Sequence, residues 1–182
     1  MLMLSEIKQV QQSAQLLHSV AVVENAIQVM ADKINARLAN ANPIVLCVMN
    51  GGIVVTGQLI TRLDFPLTLD AINVSRYGNQ TSGSQLNWLQ KPVSSLEGRV
   101  VLIVDDILDQ GITLDAIYQY CQAQGASQIY SAVLVEKQLD IIKPIQADFI
   151  GLSVADHYVY GYGMDYKGYL RNAAGIYACA KF

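Results

Sequence analysis

Arg99–Tyr120 reads RVVLIVDDILDQGITLDAIYQY, and this stretch decides the fold. Val100 to Val104 is an unbroken apolar run of strand length that stops on two carboxylates, Asp105 and Asp106. A short turn, Ile107 to Gly111, leads to a helix opening near Thr113 and ending at Gly125. A strand apolar on both faces belongs inside a sheet covered on both sides, which is how parallel sheets are built. In open parallel sheets, ligands bind beyond the carboxyl ends of the strands. The free N–H groups at the start of the helix favour an anion such as a phosphate monoester. Gly111 lets the backbone come close to that ligand, and Thr113 adds a hydroxyl donor. Two carboxylates are wrong for holding the phosphate itself. They suit a vicinal diol, whose hydroxyls donate to them, or a neighbouring divalent cation. A ribose 5-phosphate satisfies both halves of the loop.

The same texture extends outward. Upstream, PIVLCVM (Pro43–Met49) is a continuous apolar strand ended by Asn50-Gly51-Gly52. IVVTGQLITRL follows with helical spacing, and LTLDAINV (Leu67–Val74) is another strand. Downstream, IYSAVLV (Ile129–Val135) and ADFIGL (Ala147–Leu152) are strands too. Two helices precede this core, Ser5 to about Leu17 and Val23–Leu38, the second broken by Asn40, Asn42 and Pro43. GNQTSGSQ, Gly78–Gln85, has nothing to bury and is expected to be a mobile loop, with QLNWL a short strand after it. Strands alternating with helices predict an α/β fold with a mainly parallel sheet, in one domain spanning residues 1–182.

Composition narrows the function classes. Of 182 residues, 52% are hydrophobic and 15% charged, which excludes a disordered chain. Twelve basic against fifteen acidic residues give a net charge of −3, without the basic excess a non-specific nucleic-acid binder needs. No apolar run approaches the roughly 20 residues of a membrane span. The first residues turn polar from Ser5 onward, so no secretory signal and no membrane partner are expected, and the location expected is cytoplasmic. Cys47, Cys121 and Cys179 are far apart and odd in number, which fits neither a disulfide framework nor a C-x-x-C metal site.

Other phosphate loops fail on inspection. There is no G-x-x-x-x-G-K-[ST], and Gly161-Tyr162-Gly163 has Tyr166 where a dinucleotide fingerprint needs its third glycine. A phosphoacceptor receiver domain also opens on a strand ending in two Asp. Its acidic pair falls near the start of the domain, whereas here the pair begins at Asp105 and no later strand end supplies the matching Asp and Lys.

Val100–Leu114 resembles the phosphoribosyl-pyrophosphate (PRPP) motif of the type I phosphoribosyltransferases, and three further segments extend the likeness in order. Val48–Gly52 resembles their first active-site loop. Val74–Gly78 with the polar stretch after it, about residues 76–88 and including Arg76 and Tyr77, resembles the flexible loop that closes over substrate. DHYVYGYGMDY (Asp156–Tyr166), then Tyr169-Leu170-Arg171-Asn172, resembles the carboxyl-terminal hood, about 146–182 with the N-terminal segment, and points to the hypoxanthine-guanine branch of the family.

The resemblance implies a purine salvage reaction in which a purine nitrogen displaces pyrophosphate from C1 of PRPP, giving IMP or GMP, with Mg2+ as cofactor. It implies that Asp105 and Asp106 bind the ribose hydroxyls and that Asp109 is the general base. Asp109, Gln110, Gly111, Ile112 and Thr113 would wrap the 5-phosphate. Asn50 and Gly51 would meet pyrophosphate, at a peptide bond, Met49–Asn50, that the family often has in the cis form. Arg171 would also contact pyrophosphate. Asp165 would bind magnesium, with Asp105 and Asp106 acting on it indirectly. Tyr158 would stack on the base, and Val159 and Asp165 would complete the purine pocket. Where the family commonly has Lys-Pro-Asp, this chain has Gln146-Ala147-Asp148, so Gln146 is expected to meet the 6-oxo group without a charge-assisted bond, with Lys143 three residues earlier. Gln110, Ile112 and Asn50 also replace common family residues, the last two a lysine each, which lowers the positive charge expected around PRPP. The family implies a homodimer or homotetramer. A non-catalytic PRPP- or nucleotide-sensing regulator is the alternative on the same fold, and the presence of both Asp109 and Asp165 weighs against it. His157 reads as a solvent-facing strand residue and Trp88 as a packing residue.

Overall fold

The computed structural model describes residues 4–76 and 86–180. Tyr77 and the polar stretch 78–85 lie outside the described residues. The central sheet has six strands: β2 (Ile44–Met49), β3 (Thr68–Arg76), β4 (Leu86–Gln90), β5 (Val100–Leu108), β6 (Gln128–Lys137) and β7 (Phe149–Val154). Their order across the sheet is β4-β3-β2-β5-β6-β7, and only the edge pair β3–β4 is antiparallel. Helices α2 (Val20–Leu38), α3 (Ile53–Ile60) and α4 (Ile112–Ala123) connect and cover it. The expected mainly parallel α/β architecture is the one observed.

Side-chain alternation along β5 sorts the strand into two cores. Leu102 and Val104 pack with Ile27, Met30 and Ile34 of α2 and with Val55 and Leu59 of α3. Val101 and Ile103 pack on the other face with Leu114, Ile117 and Cys121 of α4. All four of those strand residues are fully buried. Burying one such side chain stabilises the fold by about 1.5–3 kcal/mol, so β5 is held firmly on both faces. That rigidity is handed on to whatever its carboxyl end carries.

Two boundaries differ from expectation. β5 runs on through both carboxylates to Leu108, because β6 is long enough to keep pairing with it, Asp105 opposite Val133 and Leu108 opposite Glu136. Backbone pairing there outweighs the turn tendency of the polar side chains. The first helix, α1, ends at Ser13, whose hydroxyl turns back to the Gln9 carbonyl at 3.0 Å. Gln15–His18 then forms β1, which pairs antiparallel with β9 (Ile176–Ala178). A partner 160 residues away decides that segment, so helical spacing through Leu17 misleads.

β9 is the middle strand of a second, three-stranded sheet in the order β1-β9-β8, with β8 spanning Val159–Tyr160. This small sheet, the turns after β8 and α1 form a hood above the carboxyl ends of β2 and β5. Trp88 packs against Tyr120 of α4 with ring centroids 5.0 Å apart.

Candidate active site

A cleft of about 390 Å³ opens where the large sheet meets the hood. Its floor is the end of β5 and the turn after it. Asp105 and Asp106 are both buried, and the Asp106 N–H donates to Asp105 Oδ1 at 2.8 Å. Burial and the neighbouring Asp106 charge push the Asp105 carboxyl well above the usual carboxylate range. Burial also raises Asp106, against the opposing pull of its hydrogen bond with Asp105 and of the Arg171 charge. A carboxylate pair held in this state is short of positive charge and of hydrogen-bond donors. A diol or a cation supplies what is missing.

Beyond the pair, Asp109, Gly111 and Thr113 line the cleft, while Gln110 and Ile112 are exposed and do not line it. Gly111 adopts a left-handed conformation, φ 84°, at the N-cap of α4 and offers no side-chain cap. The first N–H groups of this twelve-residue helix therefore lack protein acceptors from within the helix or from its cap. An uncapped helix start thus stands beside a buried acidic pair.

The wall formed by β2 and its following turn brings Val48, Met49, Asn50 and Gly51 to the cleft, and the Met49–Asn50 peptide is cis. Gly51 has no room for a side chain, since a Cβ there would lie 2.1 Å from Asp106 Oδ2. The hood closes onto the same point. Gly163, at φ 105°, would place a Cβ 2.0 Å from the Gly51 carbonyl oxygen. In the sequence Gly163 belongs to the hood-like segment and to a failed dinucleotide fingerprint. Its Gly-x-Gly spacing, together with Gly51, marks a backbone-to-backbone contact.

From the hood, Tyr158, Val159, Met164, Asp165 and Arg171 line the cleft. Tyr158 is 54% exposed, free to receive a flat ligand on its ring, and meets Tyr166 edge-on at 5.6 Å. Arg171 is held in place by three contacts: the Gly163 carbonyl at 2.5 Å, Asp165 Oδ1 at 2.6 Å and, more distantly, Asp106 Oδ2 at 3.9 Å. The other oxygen of Asp165 accepts from the Gly168 N–H at 2.6 Å. Val159 is buried and paired with Ala178. Arg76 is the last residue of β3.

Gln146 is exposed and does not line the cleft, so the side chain expected to meet the purine 6-oxo group stands elsewhere. Besides Arg171, a second cation lines the cleft: Lys137, at the end of β6, to which the sequence reading gives no role. Its Nζ lies 3.4 Å from Asp109 Oδ1 and 3.7 Å from Asp156 Oδ1. The signal was available: a lysine at the carboxyl end of the strand beside the acidic one must reach the same crevice.

Among the described residues no cluster of three or more His, Cys, Asp or Glu side chains is placed to hold a metal unaided. Magnesium seldom needs one, because it keeps its waters and binds through one or two carboxylates plus substrate phosphates. Asp105, Asp106 and Asp165, hard oxygens around one crevice, suit such a shared ion.

A family model for the phosphoribosyl transferase domain matches residues 12–167. A hypoxanthine-guanine phosphoribosyltransferase of Bacillus subtilis (strain 168) is 32% identical over 161 residues, 86% of this chain and 89% of that protein. One from Streptococcus pneumoniae (strain ATCC BAA-255 / R6) is 31% identical over the same share of each. Among solved structures, a hypoxanthine phosphoribosyltransferase from Staphylococcus aureus superposes with a TM-score of 0.87 over 93% of this chain and 94% of that one, at 24% identity. A hypoxanthine phosphoribosyl transferase from Trypanosoma cruzi gives 0.84 at 27% identity, covering 91% of each chain.

Proposed function

The chain belongs to the phosphoribosyltransferase family, and from that premise we infer that it transfers the 5-phosphoribosyl group of PRPP to hypoxanthine or guanine. The products are IMP or GMP and pyrophosphate, the reaction of a purine salvage enzyme. One observation carries the reading beyond the family likeness. A single cleft holds a buried acidic pair, a bare helix N-terminus and, across from them, an exposed tyrosine ring.

Each half of the cleft has a task. The N–H groups at Gly111–Thr113 hold the 5-phosphate, with the helix dipole behind them. Asp105 and Asp106 accept from the ribose hydroxyls, and Gly51 leaves the space above Asp106 that a side chain would fill. Asn50, Gly51 and Arg171 face the pyrophosphate. Mg2+ bound with that group, within reach of Asp165, would neutralise charge developing on the leaving oxygen. Positive charge builds on C1 and the ring oxygen as the C1–O bond lengthens, and the buried carboxylates beneath the ribose stabilise it. The purine stacks on Tyr158, and Asp109 takes the proton of its imidazole nitrogen.

Lys137 takes over the role expected of Gln146. In a 6-oxopurine the imidazole N7 and the 6-oxo oxygen lie side by side on one edge. Asp109 and Lys137 lie side by side too, an acceptor and a cationic donor 3.4 Å apart. The base edge inserts into this pair, the carboxylate meeting N7–H and the ammonium meeting O6. The bond to the 6-oxo group is then charge-assisted, unlike the one expected from Gln146. Exposed apolar side chains on α2, Val22 and Val29, support self-association as a dimer or tetramer.

The test is a spectrophotometric transfer assay with PRPP, magnesium and each of hypoxanthine, guanine, xanthine and adenine. Turnover confined to 6-oxopurines is expected. Binding of PRPP without turnover of any base would overturn the reading.

A further inference from the structure

We propose that Lys143, a residue outside the cleft, is a positioning residue that sets the spacing of the Asp109–Lys137 pair. The inference rests on the functional reading above. Lys143 lies in the connection between β6 and β7, and its side chain is only 10% exposed. Its ammonium donates to the Lys137 carbonyl at 2.7 Å and the Leu108 carbonyl at 3.3 Å, and faces Glu136 Oε1 at 3.4 Å. All three donors are thus directed at the protein.

The place of these carbonyls gives the contacts their meaning. Leu108 closes β5 and Lys137 closes β6, and the ladder between the two strands has its last pair at Leu108 and Glu136. That pair ends the ladder, and there the Lys143 ammonium ties the two strand ends together from outside it. Asp109 follows Leu108 directly, and Lys137 is itself the second member of the pair, so one cation fixes the backbone under both reading groups. Glu136 supplies the counter-charge and is steadied by the Gln138 amide at 3.1 Å. The same segment touches the phosphate loop, since a Cβ on Gly111 would lie 3.2 Å from Pro144 Cδ and 3.5 Å from Lys143 Cβ.

Removing the ammonium while keeping the stem, Lys143→Met, isolates the bridge. The readout is the ratio of kcat/KM for hypoxanthine to that for unsubstituted purine, which lacks the 6-oxo group and so cannot use Lys137. Misplacement of about 1 Å costs on the order of 10²-fold, so a fall of the ratio by about 10- to 100-fold is expected. KM for PRPP should stay within about twofold, because Met keeps the Cβ against Gly111. Lys143→Arg, which keeps charge and donors, should recover most of the ratio. An unchanged ratio in folded Lys143→Met, or an equal loss with both bases, overturns the proposal. Should Lys143→Met fail to fold, Glu136→Gln loosens the ammonium from its other side. A lowered ratio then supports the bridge, and an unchanged one overturns it. Failure of the parent protein to turn over any 6-oxopurine would instead strike the functional reading.

Discussion

The two walls of the cleft are built on different principles. The floor, at the end of β5, takes its geometry from the core, where four fully buried side chains between two helical layers fix the strand and so fix Asp105 and Asp106 within it and Asp109 just past its end. The hood takes its geometry from turns and ion pairs. Gly161, Tyr162 and Gly163 all have positive φ, and Arg171 holds the next stretch by gripping Asp165 and the Gly163 carbonyl. A wall fixed by burial can carry charge that costs stability. A wall fixed by local contacts carries recognition, where small displacements change which base fits.

The sharpest way to separate the two is to strike chemistry on the floor without touching packing. Asp109→Asn should lower kcat by about 10²- to 10⁴-fold, with Tm and PRPP binding little changed. Retention of full kcat would end the assignment of Asp109 as base. The recognition side is tested by Lys137→Met, which should cost hypoxanthine about 10- to 100-fold in kcat/KM, the worth of a hydrogen bond to a charged group. Purine without the 6-oxo group should lose far less. Gln146→Lys should leave both bases unaffected, and a gain there would restore Gln146 to the site.

A third substitution attacks the seam between the walls. In Gly163→Ala the added methyl meets the Gly51 carbonyl from a backbone conformation that alanine resists, a cost of about 1–3 kcal/mol. Tm should fall by several degrees, and KM should rise for PRPP and purine together, as thermal melts and steady-state kinetics will read. A rise confined to one substrate would show that the walls move independently.

The smallest effect is the most diagnostic of the floor. The Asp105 carboxyl is raised in the folded state, so between the unfolded value, about 3.9, and that raised value the native protein binds more protons than the unfolded chain. Stability therefore falls as pH rises through that window, and the burden is absent below it. Asp105→Asn should flatten this slope and raise Tm near neutral pH, by about 2–4 °C for each kcal/mol relieved, while weakening PRPP binding. Parallel Tm-against-pH curves for the two proteins would contradict it.

The same contrast explains what could be read from the sequence. The floor was legible because its signal is contiguous: an apolar run, two carboxylates, a glycine and a helix start lie within fifteen residues in the order in which they act. Helix boundaries in the core were legible too, Val23–Leu38 against the observed Val20–Leu38. The hood was legible only through likeness to a family, because its contacts join residues that spacing alone does not relate. Glu6, for example, accepts from Tyr166 at 3.1 Å and pairs with Lys167 at 3.0 Å. Segment 15–18 reads as helix until its strand partner near the other end of the chain is known. Lys137 belongs to no local motif, because its place at the cleft depends on β6 lying beside β5. Lys143 is harder still, since its function resides in two backbone carbonyls that no side-chain pattern reports.

The strand order of the hood sheet has a consequence for how the protein comes into being. β1 precedes every strand of the large sheet in the chain yet waits for β9, where Gln15 meets Ala178, and β8 depends on the same middle strand. The six strands of the large sheet are all translated before β9 emerges, so a growing chain can assemble the acidic floor while its roof has no partner. A growing chain therefore completes its sugar-phosphate floor before its base-reading roof, and a chain cut short before Ile176 keeps the floor but lacks the strand on which β1 and β8 both pair.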